Sequence, residues 1–182
     1  MIRLFDFVFS IFGIIITLPI FILIYFACFI DTGSPLFLQK RLGKSKKIFV
    51  LIKFRSMKVG TVSIPTHLAN SSEVTKFGNF LRKTKLDEIP QFWNILLGDM
   101  SLVGPRPGLL DQDDLTKERQ KLNVYSVKPG ITGLSQINNI DMLDPTLLTE
   151  FDRKMIDEFS LKKYFYYIIM TIFGKGVSDK IR

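Results

Sequence analysis

The chain has 182 residues, 25 Lys and Arg against 17 Asp and Glu, a net charge of +8 and a single cysteine. That length supports one domain with a real core, and one cysteine excludes an internal disulfide and a cysteine-built zinc cluster. The basic balance points to a polyanionic partner, and a positive mean hydropathy of +0.22 favours a membrane surface among the polyanions.

Val8 to Ile30, VFSIFGIIITLPIFILIYFACFI, is a run of 23 residues without a charge, long enough to cross a bilayer. It is too long for a signal-peptide core, and no small-x-small cleavage site follows. Only Arg3 and Asp6 precede it, whereas Lys40, Arg41, Lys44, Lys46 and Lys47 follow, against the one acid Asp31. The positive-inside rule then keeps the following domain in the cytoplasm. Pro19 stands in the middle of the run. It removes a helix hydrogen bond and crowds the preceding turn, so a kink is expected. Two readings stand: a kinked transmembrane anchor, or a re-entrant helical hairpin that dips into one leaflet with both ends cytoplasmic. Cys28 reads as an inert small hydrophobe.

Lys47 to Met57, KIFVLIKFRSM, is rich in β-formers and predicts a strand with Lys53 and Arg55 on one face. Lys58 to Val74 reads as a surface loop, and its one histidine, His67, as solvated. Thr75 to Lys85 predicts an amphipathic helix with Phe77, Phe80 and Leu81 on one side. A second helix is predicted from about Asp87, because Pro90 is tolerated in a first turn and Gly98 provides a stop. Met100 to Val103 is a short strand or turn. Asp111 to Lys121 reads as a solvated helix. Lys128 to Asn139 is a glycine-punctuated loop, and Thr146 to Phe159 has helical spacing. Leu161 to Phe173, LKKYFYYIIMTIF, suits a core helix or, with three tyrosines beside isoleucines, an interfacial one; the interface is the expectation.

The chemistry concentrates around Leu86 to Pro107, LDEIPQFWNILLGDMSLVGPRP. Asp87 and Glu88 could simply serve a helix start, where acids complement unpaired N–H groups and the dipole. Their surroundings argue for more. Arg82, Lys83 and Lys85 lie just before the pair, Lys53 and Arg55 share a strand face, and Arg106 follows. A basic ring around a carboxylate pair is what a phosphorylated substrate needs. Pro105 and Pro107 stiffen the backbone on either side of Arg106. A guanidinium so mounted can grip two phosphate oxygens. A carboxylate attacking a diphosphate faces charge repulsion, which Mg²⁺ bound to that carboxylate and to phosphate oxygens would offset. The residues therefore permit covalent catalysis at phosphorus, with the attacking acid left open between Asp87 and Glu88.

Six pieces in order carry a resemblance: the proline-broken apolar segment, PLFLQKRLG (Pro35 to Gly43), KFRSM (Lys53 to Met57), LRKTKLDEIPQFWNIL (Leu81 to Leu96), GDMSLVGPRP (Gly98 to Pro107) and KPGITGLSQIN (Lys128 to Asn138). The chain resembles the monotopic phosphoglycosyl transferases, the bacterial sugar transferases of polyprenyl phosphate, from the apolar segment to about Thr171. The resemblance implies transfer of a sugar-1-phosphate from a nucleotide sugar, usually a UDP-sugar, to polyprenyl phosphate, typically undecaprenyl phosphate, with release of UMP. It implies that Asp87 is the nucleophile and Mg²⁺ ligand and that Glu88 supports it. Lys53, Arg82 and Arg106 match basic positions around the family's site, and Arg41 and Arg55 match motif positions. It also moves the reading of Pro19 to the break of a re-entrant hairpin. The implied fold is α+β and mainly helical. Residues 1–32 form the membrane hairpin, and residues 33–182 form a cytoplasmic catalytic domain with interfacial amphipathic helices. The implied place is the cytoplasmic leaflet of a bacterial inner membrane, at the first membrane step of surface glycan assembly, such as lipopolysaccharide or exopolysaccharide. Oligomeric state is open, a dimer included.

There are departures from the family pattern. Leu134 stands where Trp is common, and Asn139 and Ile140 stand where Gly-Arg is common. The usual Asp-x-x-Tyr reads Asp152-Arg153-Lys154-Met155, with Arg153 a nearby arginine to replace the missing one. These changes bear on sugar choice, for which an N-acetylated hexosamine is the expectation. Two rivals remain: a glycosyltransferase releasing UDP, and a silent membrane-surface module binding anionic lipid. Nothing resembles a recognition helix or stacking platform, so no nucleic-acid partner is expected.

Overall fold

Helix α1 (Ile2–Thr32) is set by an apolar stretch that satisfies its backbone internally, and it ends at Gly33, whose left-handed φ of 72° closes the last turn. It is part of a computed structural model that describes residues 1–61 and 71–176. Among the described residues α1 is the one helix long and apolar enough to cross a membrane. It runs through Pro19 as a single helix, with no turn between two halves.

One stripe of α1 is buried along its length. Asp6, Ser10, Ile24 and Cys28 are buried. Between them a Cβ at Gly13 would meet the Phe92 ring at 2.9 Å, and Phe21 packs on Phe54 with ring centroids 4.9 Å apart. The spacing of three and four residues is that of one helix face. At the amino end Arg3 donates to the carbonyls of Ile95 and Leu96, where a cation complements a helix C-terminus. Asp6 accepts from Ser101 Oγ at 2.9 Å, Leu102 N at 3.0 Å and Tyr164 Oη at 2.9 Å. At the carboxyl end Ile24 and Cys28 pack with Phe54 and Leu81. Both ends of α1 therefore lie on the same globular unit. The opposite face, including Ile15, Ile16, Leu23, Phe26 and Ile30, is exposed.

The Ser10 hydroxyl on this stripe is buried without a hydrogen-bond partner among the described residues. Removing an unsatisfied buried hydroxyl is neutral or stabilising, by up to about 1–3 kcal/mol. Ser10→Ala is expected to leave the thermal unfolding midpoint unchanged or raise it.

Two small sheets follow. Strands β1 (Leu36–Leu42) and β2 (Ile48–Phe54) form an antiparallel hairpin with Leu36 opposite Phe54 and Leu42 opposite Ile48. The predicted strand is thus shorter than its apolar run: it stops at Phe54, and Arg55 lies outside it. Helix α2 (Lys76–Thr84) starts on Thr75, whose side chain accepts from Gly78 N at 2.8 Å. Gly78 lies on the Ser56 backbone so closely that a Cβ would collide with the Ser56 carbonyl. Gly78→Ala is expected to lose folded protein, read as a fall in soluble yield and unfolding midpoint, because the overlap is with backbone.

Helix α3 (Gln91–Leu97) ends at Gly98, as its left-handed φ of 91° requires. Asn94 docks α3 on β2: its Nδ2 donates to Val50 O at 2.7 Å, and its Oδ1 accepts from Ile52 N at 3.0 Å. Strand β3 (Ser101–Val103) pairs in parallel with β4 (Gly130–Thr132). The glycine-punctuated segment therefore holds a strand and, after it, the short helix α5 (Leu134–Ile137). Helix α4 (Asp113–Lys121) is not fully solvated as expected: Leu115 and Arg119 are buried. Helix α6 (Pro145–Asp157) starts on Asp144, which accepts from Leu147 N. Helix α7 (Leu161–Ile172) divides the two sequence readings between its faces. Tyr164 and Tyr167 are core, whereas Tyr166, Ile169 and Ile172 are exposed. The result is a mainly helical mixed α/β domain.

Candidate active site

The acid pair sits where α2 turns into α3. Lys85 closes α2 in the left-handed region at φ 58°, and Leu86 to Glu88 form one 3-10 turn before Pro90 leads into α3. The predicted second helix thus starts a turn later than Asp87, because a tight turn intervenes. Leu86 and Ile89, flanking the acids, pack against the Ile24–Cys28 end of α1. This anchors the pair beside the apolar helix. Cys28, on the same stripe, is fully buried against Phe54 and Leu81.

Phe49, Leu51 and Lys53 share one face of β2, and Lys53 ends that inward row. Its Nζ lies 3.0 Å from Glu88 Oε1 and 3.9 Å from Asp87 Oδ2. Arg106 Nη2 lies 3.9 Å from the same Glu88 oxygen. Asp87 is buried and Glu88 half-buried. Arg41, Lys53, Glu88, Gln91, Arg106 and Ile131 line a small cleft here. Lys85 donates from Nζ to Lys175 O at 2.9 Å. Burial lowers its ammonium below the usual lysine range, Glu88 opposes that, and Arg106 adds to it.

Arg106 is carried on an arch whose carbonyls are held one after another. Pro105 O accepts from Gly130 N at 2.9 Å. Arg106 O accepts from Arg119 Nη1 at 2.8 Å, and Pro107 O from Arg41 Nη1 at 3.0 Å. Gly108 O accepts from Leu42 N at 3.0 Å. Two prolines contribute no N–H, so the arch is anchored as an acceptor. Arg119 is itself fixed: its Nη2 and Nε lie 2.6 and 3.1 Å from Asp152 Oδ2. Ser135 Oγ donates to the other Asp152 oxygen at 2.9 Å. Burial pushes the Asp152 carboxyl above the usual range, against the pull of Arg119 and of the Ser135 hydroxyl.

The structure brings together Asp87, Glu88, Lys53, Arg106 and Arg41. Arg82 is adjacent on α2, with Nε on Ser56 Oγ at 2.8 Å. Arg55 is turned elsewhere: it donates to the carbonyls of Ser34 and Leu36 and lies over the Phe37 ring, tying the α1–β1 connection. Arg153 pairs with Asp157 on α6 and donates to Leu122 O. His67 lies outside the described residues. The anchoring roles of Arg119 and Asp6 were missed, and Asp152 was read only as a motif position. The signal for Arg119 was its place between Leu115 and Leu122 on one face of a charged helix.

Among the described residues no group of three or more His, Cys, Asp or Glu could hold a metal alone. Two adjacent carboxylates do fit Mg²⁺, which takes one or two protein carboxylates and completes its shell with phosphates and water. Asp87 and Glu88 are the residues that would hold such an ion, and both also lie within ion-pair distance of Lys53.

Residues 1–176 match the family described as bacterial sugar transferase. The uncharacterized sugar transferase EpsL of Bacillus subtilis is 37% identical over 181 residues, 99% of this chain and 89% of that protein. The UDP-glucose:undecaprenyl-phosphate glucose-1-phosphate transferase of Escherichia coli is 41% identical over 159 residues, 81% of this chain and 34% of that protein. The galactosyl transferase CpsE of Streptococcus agalactiae is 39% identical over 158 residues, 78% of this chain and 34% of that protein. The chain spans about a third of the length of the first curated relatives it matches.

Proposed function

The chain belongs to the bacterial sugar transferase family, and from that premise we propose that it transfers a sugar-1-phosphate from a UDP-sugar to undecaprenyl phosphate. The observation that carries the reading is Glu88 bracketed by Lys53 and Arg106 at a cleft, with Asp87 beside it and an apolar helix packed against the segment. Similarity to a relative named for this reaction with glucose supports the donor and acceptor classes.

In the first step an Asp87 carboxylate oxygen attacks the sugar-bearing phosphorus. The bond from that phosphorus to the bridging oxygen breaks, and UMP leaves with the electron pair. In the second step an oxygen of the lipid phosphate attacks the same phosphorus. The bond to Asp87 breaks, the carboxylate is restored, and the product is polyprenyl-diphospho-sugar. Lys53 and Arg106 stabilise charge on the transferring phosphoryl oxygens, and Glu88 holds both cations in place. Mg²⁺ on Asp87 would supply charge neutralisation between carboxylate and diphosphate.

The acceptor places the reaction at a membrane surface. A helix with both ends held by one globular unit cannot carry one end across a bilayer while that unit stays on one side. This supports both ends of α1 lying on one side, the cytoplasmic one, with its free apolar face in one leaflet, as one continuous helix through Pro19 and not as the expected hairpin. The exposed Trp93, Leu97, Ile169 and Ile172 suit the same interface.

The test is nucleotide release. Purified protein in lipid discs is given undecaprenyl phosphate, Mg²⁺ and a panel of UDP-sugars, with glucose and galactose beside the N-acetylated hexosamines. Lipid-dependent UMP, abolished by chelating Mg²⁺, is expected with one donor. UDP as primary product would point to simple glycosyl transfer. No nucleotide release with any donor in the panel would favour a silent membrane module.

A further inference from the structure

A second cavity of about 360 Å³ lies beside the first turn of α1 and shares no lining residue with the acid-pair cleft. Its walls are largely apolar, with Val103, Val127, Ile156 and Phe159 among them. Its charged groups are unbalanced: Arg3, Lys44 and Lys128 line it against one carboxylate, Asp6. Asp6 is already committed to Ser101, Leu102 and Tyr164. Arg3 is held on the end of α3. The ammonium groups of Lys44 and Lys128 have no hydrogen-bond or ion-pair partner among the described residues.

These cations are crowded. A Cβ at Gly98 would lie 3.2 Å from Arg3 Nη2 and 3.5 Å from Lys128 Nζ, so the two charged nitrogens are within about 7 Å of each other. Burial, then Arg3 and Lys44, pull Lys128 below the usual lysine range, against the opposing pull of Asp6 and of Asp99, which stands outside the cavity lining. An anion between them would relieve that repulsion. The excess is two positive charges, and a phosphate monoester carries about −1.5 to −2 at neutral pH. An apolar cavity of this size accepts a small-ligand body or a length of aliphatic chain.

We propose that this cavity binds a phosphate monoester borne on an aliphatic chain and drawn from the membrane. The phosphate sits among Arg3, Lys44 and Lys128, and the chain lies along Val103, Val127, Ile156 and Phe159. The site stands apart from the acid-pair chemistry and does not depend on it.

A dodecyl phosphate carrying a diazirine on its chain tests this on the full chain in phosphatidylcholine discs, with adducts mapped by peptide mass spectrometry. Labelling is expected at residues 101–104, 126–128 and 155–159. Excess unlabelled dodecyl phosphate should suppress it, and equal inorganic phosphate should not. K44Q/K128Q should reduce it about tenfold, and K44Q alone, at an exposed position, should reduce it less while leaving the unfolding midpoint unchanged. Three outcomes overturn the proposal: equal labelling by the uncharged dodecanol analogue, equal competition by inorganic phosphate, or labelling confined to the peptides of Gln91 and Ile131. The wild-type competitions stand whether or not a variant folds.

Discussion

Asp152→Ala should destabilise the protein by about 3–5 kcal/mol, the cost typical of removing one partner from a buried ion pair. Asp152 is 0% exposed and Arg119 2%. The substitution strands a guanidinium in the core and orphans the Ser135 hydroxyl. Denaturant unfolding in detergent measures the loss. The pair has a second task, because the third arm of the Arg119 fork holds the carbonyl of Arg106. Stability and positioning separate in the double variant Arg119→Met/Asp152→Leu. Replacing a buried pair by apolar groups is often neutral or stabilising, so the midpoint should largely recover. The arch would still lack its donor, so UMP release should stay well below wild type. Recovery of both would show that the pair serves the fold alone.

Asp87→Asn should lower lipid-dependent nucleotide release by about 10⁴-fold or more, the scale on which loss of a nucleophile acts. The amide keeps the size of the side chain but cannot form the phospho-sugar adduct. Glu88→Gln should cost less, on the order of 10²-fold, because it loosens the hold on Lys53 and Arg106 without removing the attacking oxygen. The ratio between the two variants is the informative quantity. A larger loss in Glu88→Gln would exchange the roles of the two acids.

Much of this arrangement was legible in the sequence wherever local rules govern. Thr75 capped α2 and Gly98 stopped α3, because cap chemistry is written in one or two residues. The meeting of Asp87, Glu88, Lys53 and Arg106 was readable from the motifs that the resemblance brought together. What failed to show is long-range. Arg55 continued the strand's alternation on paper, but β2 ends at Phe54 and the side chain caps the connection from α1. Arg119 sat in a charged run, and only Asp152, 33 residues away, explains why it is buried. Asp6 looked like a flank of the apolar run, yet it is the anchor that fastens α1 to β3 and α7. Pairings of this kind have no local signature, since one charge cannot announce its distant partner.

If Asp87 carries the sugar phosphate between donor and acceptor, the loaded enzyme should accumulate when the acceptor is withheld. The direct measurement omits the acceptor. Wild-type protein is mixed with the productive UDP-sugar and Mg²⁺, quenched, and digested for peptide mass spectrometry. One sugar-phosphate mass is expected on the peptide containing Asp87, matched by a single equivalent of UMP. Undecaprenyl phosphate should discharge it, and Asp87→Asn should lack it. Lipid-dependent UMP release with no adduct on that peptide, or an adduct on Glu88, would contradict the claim.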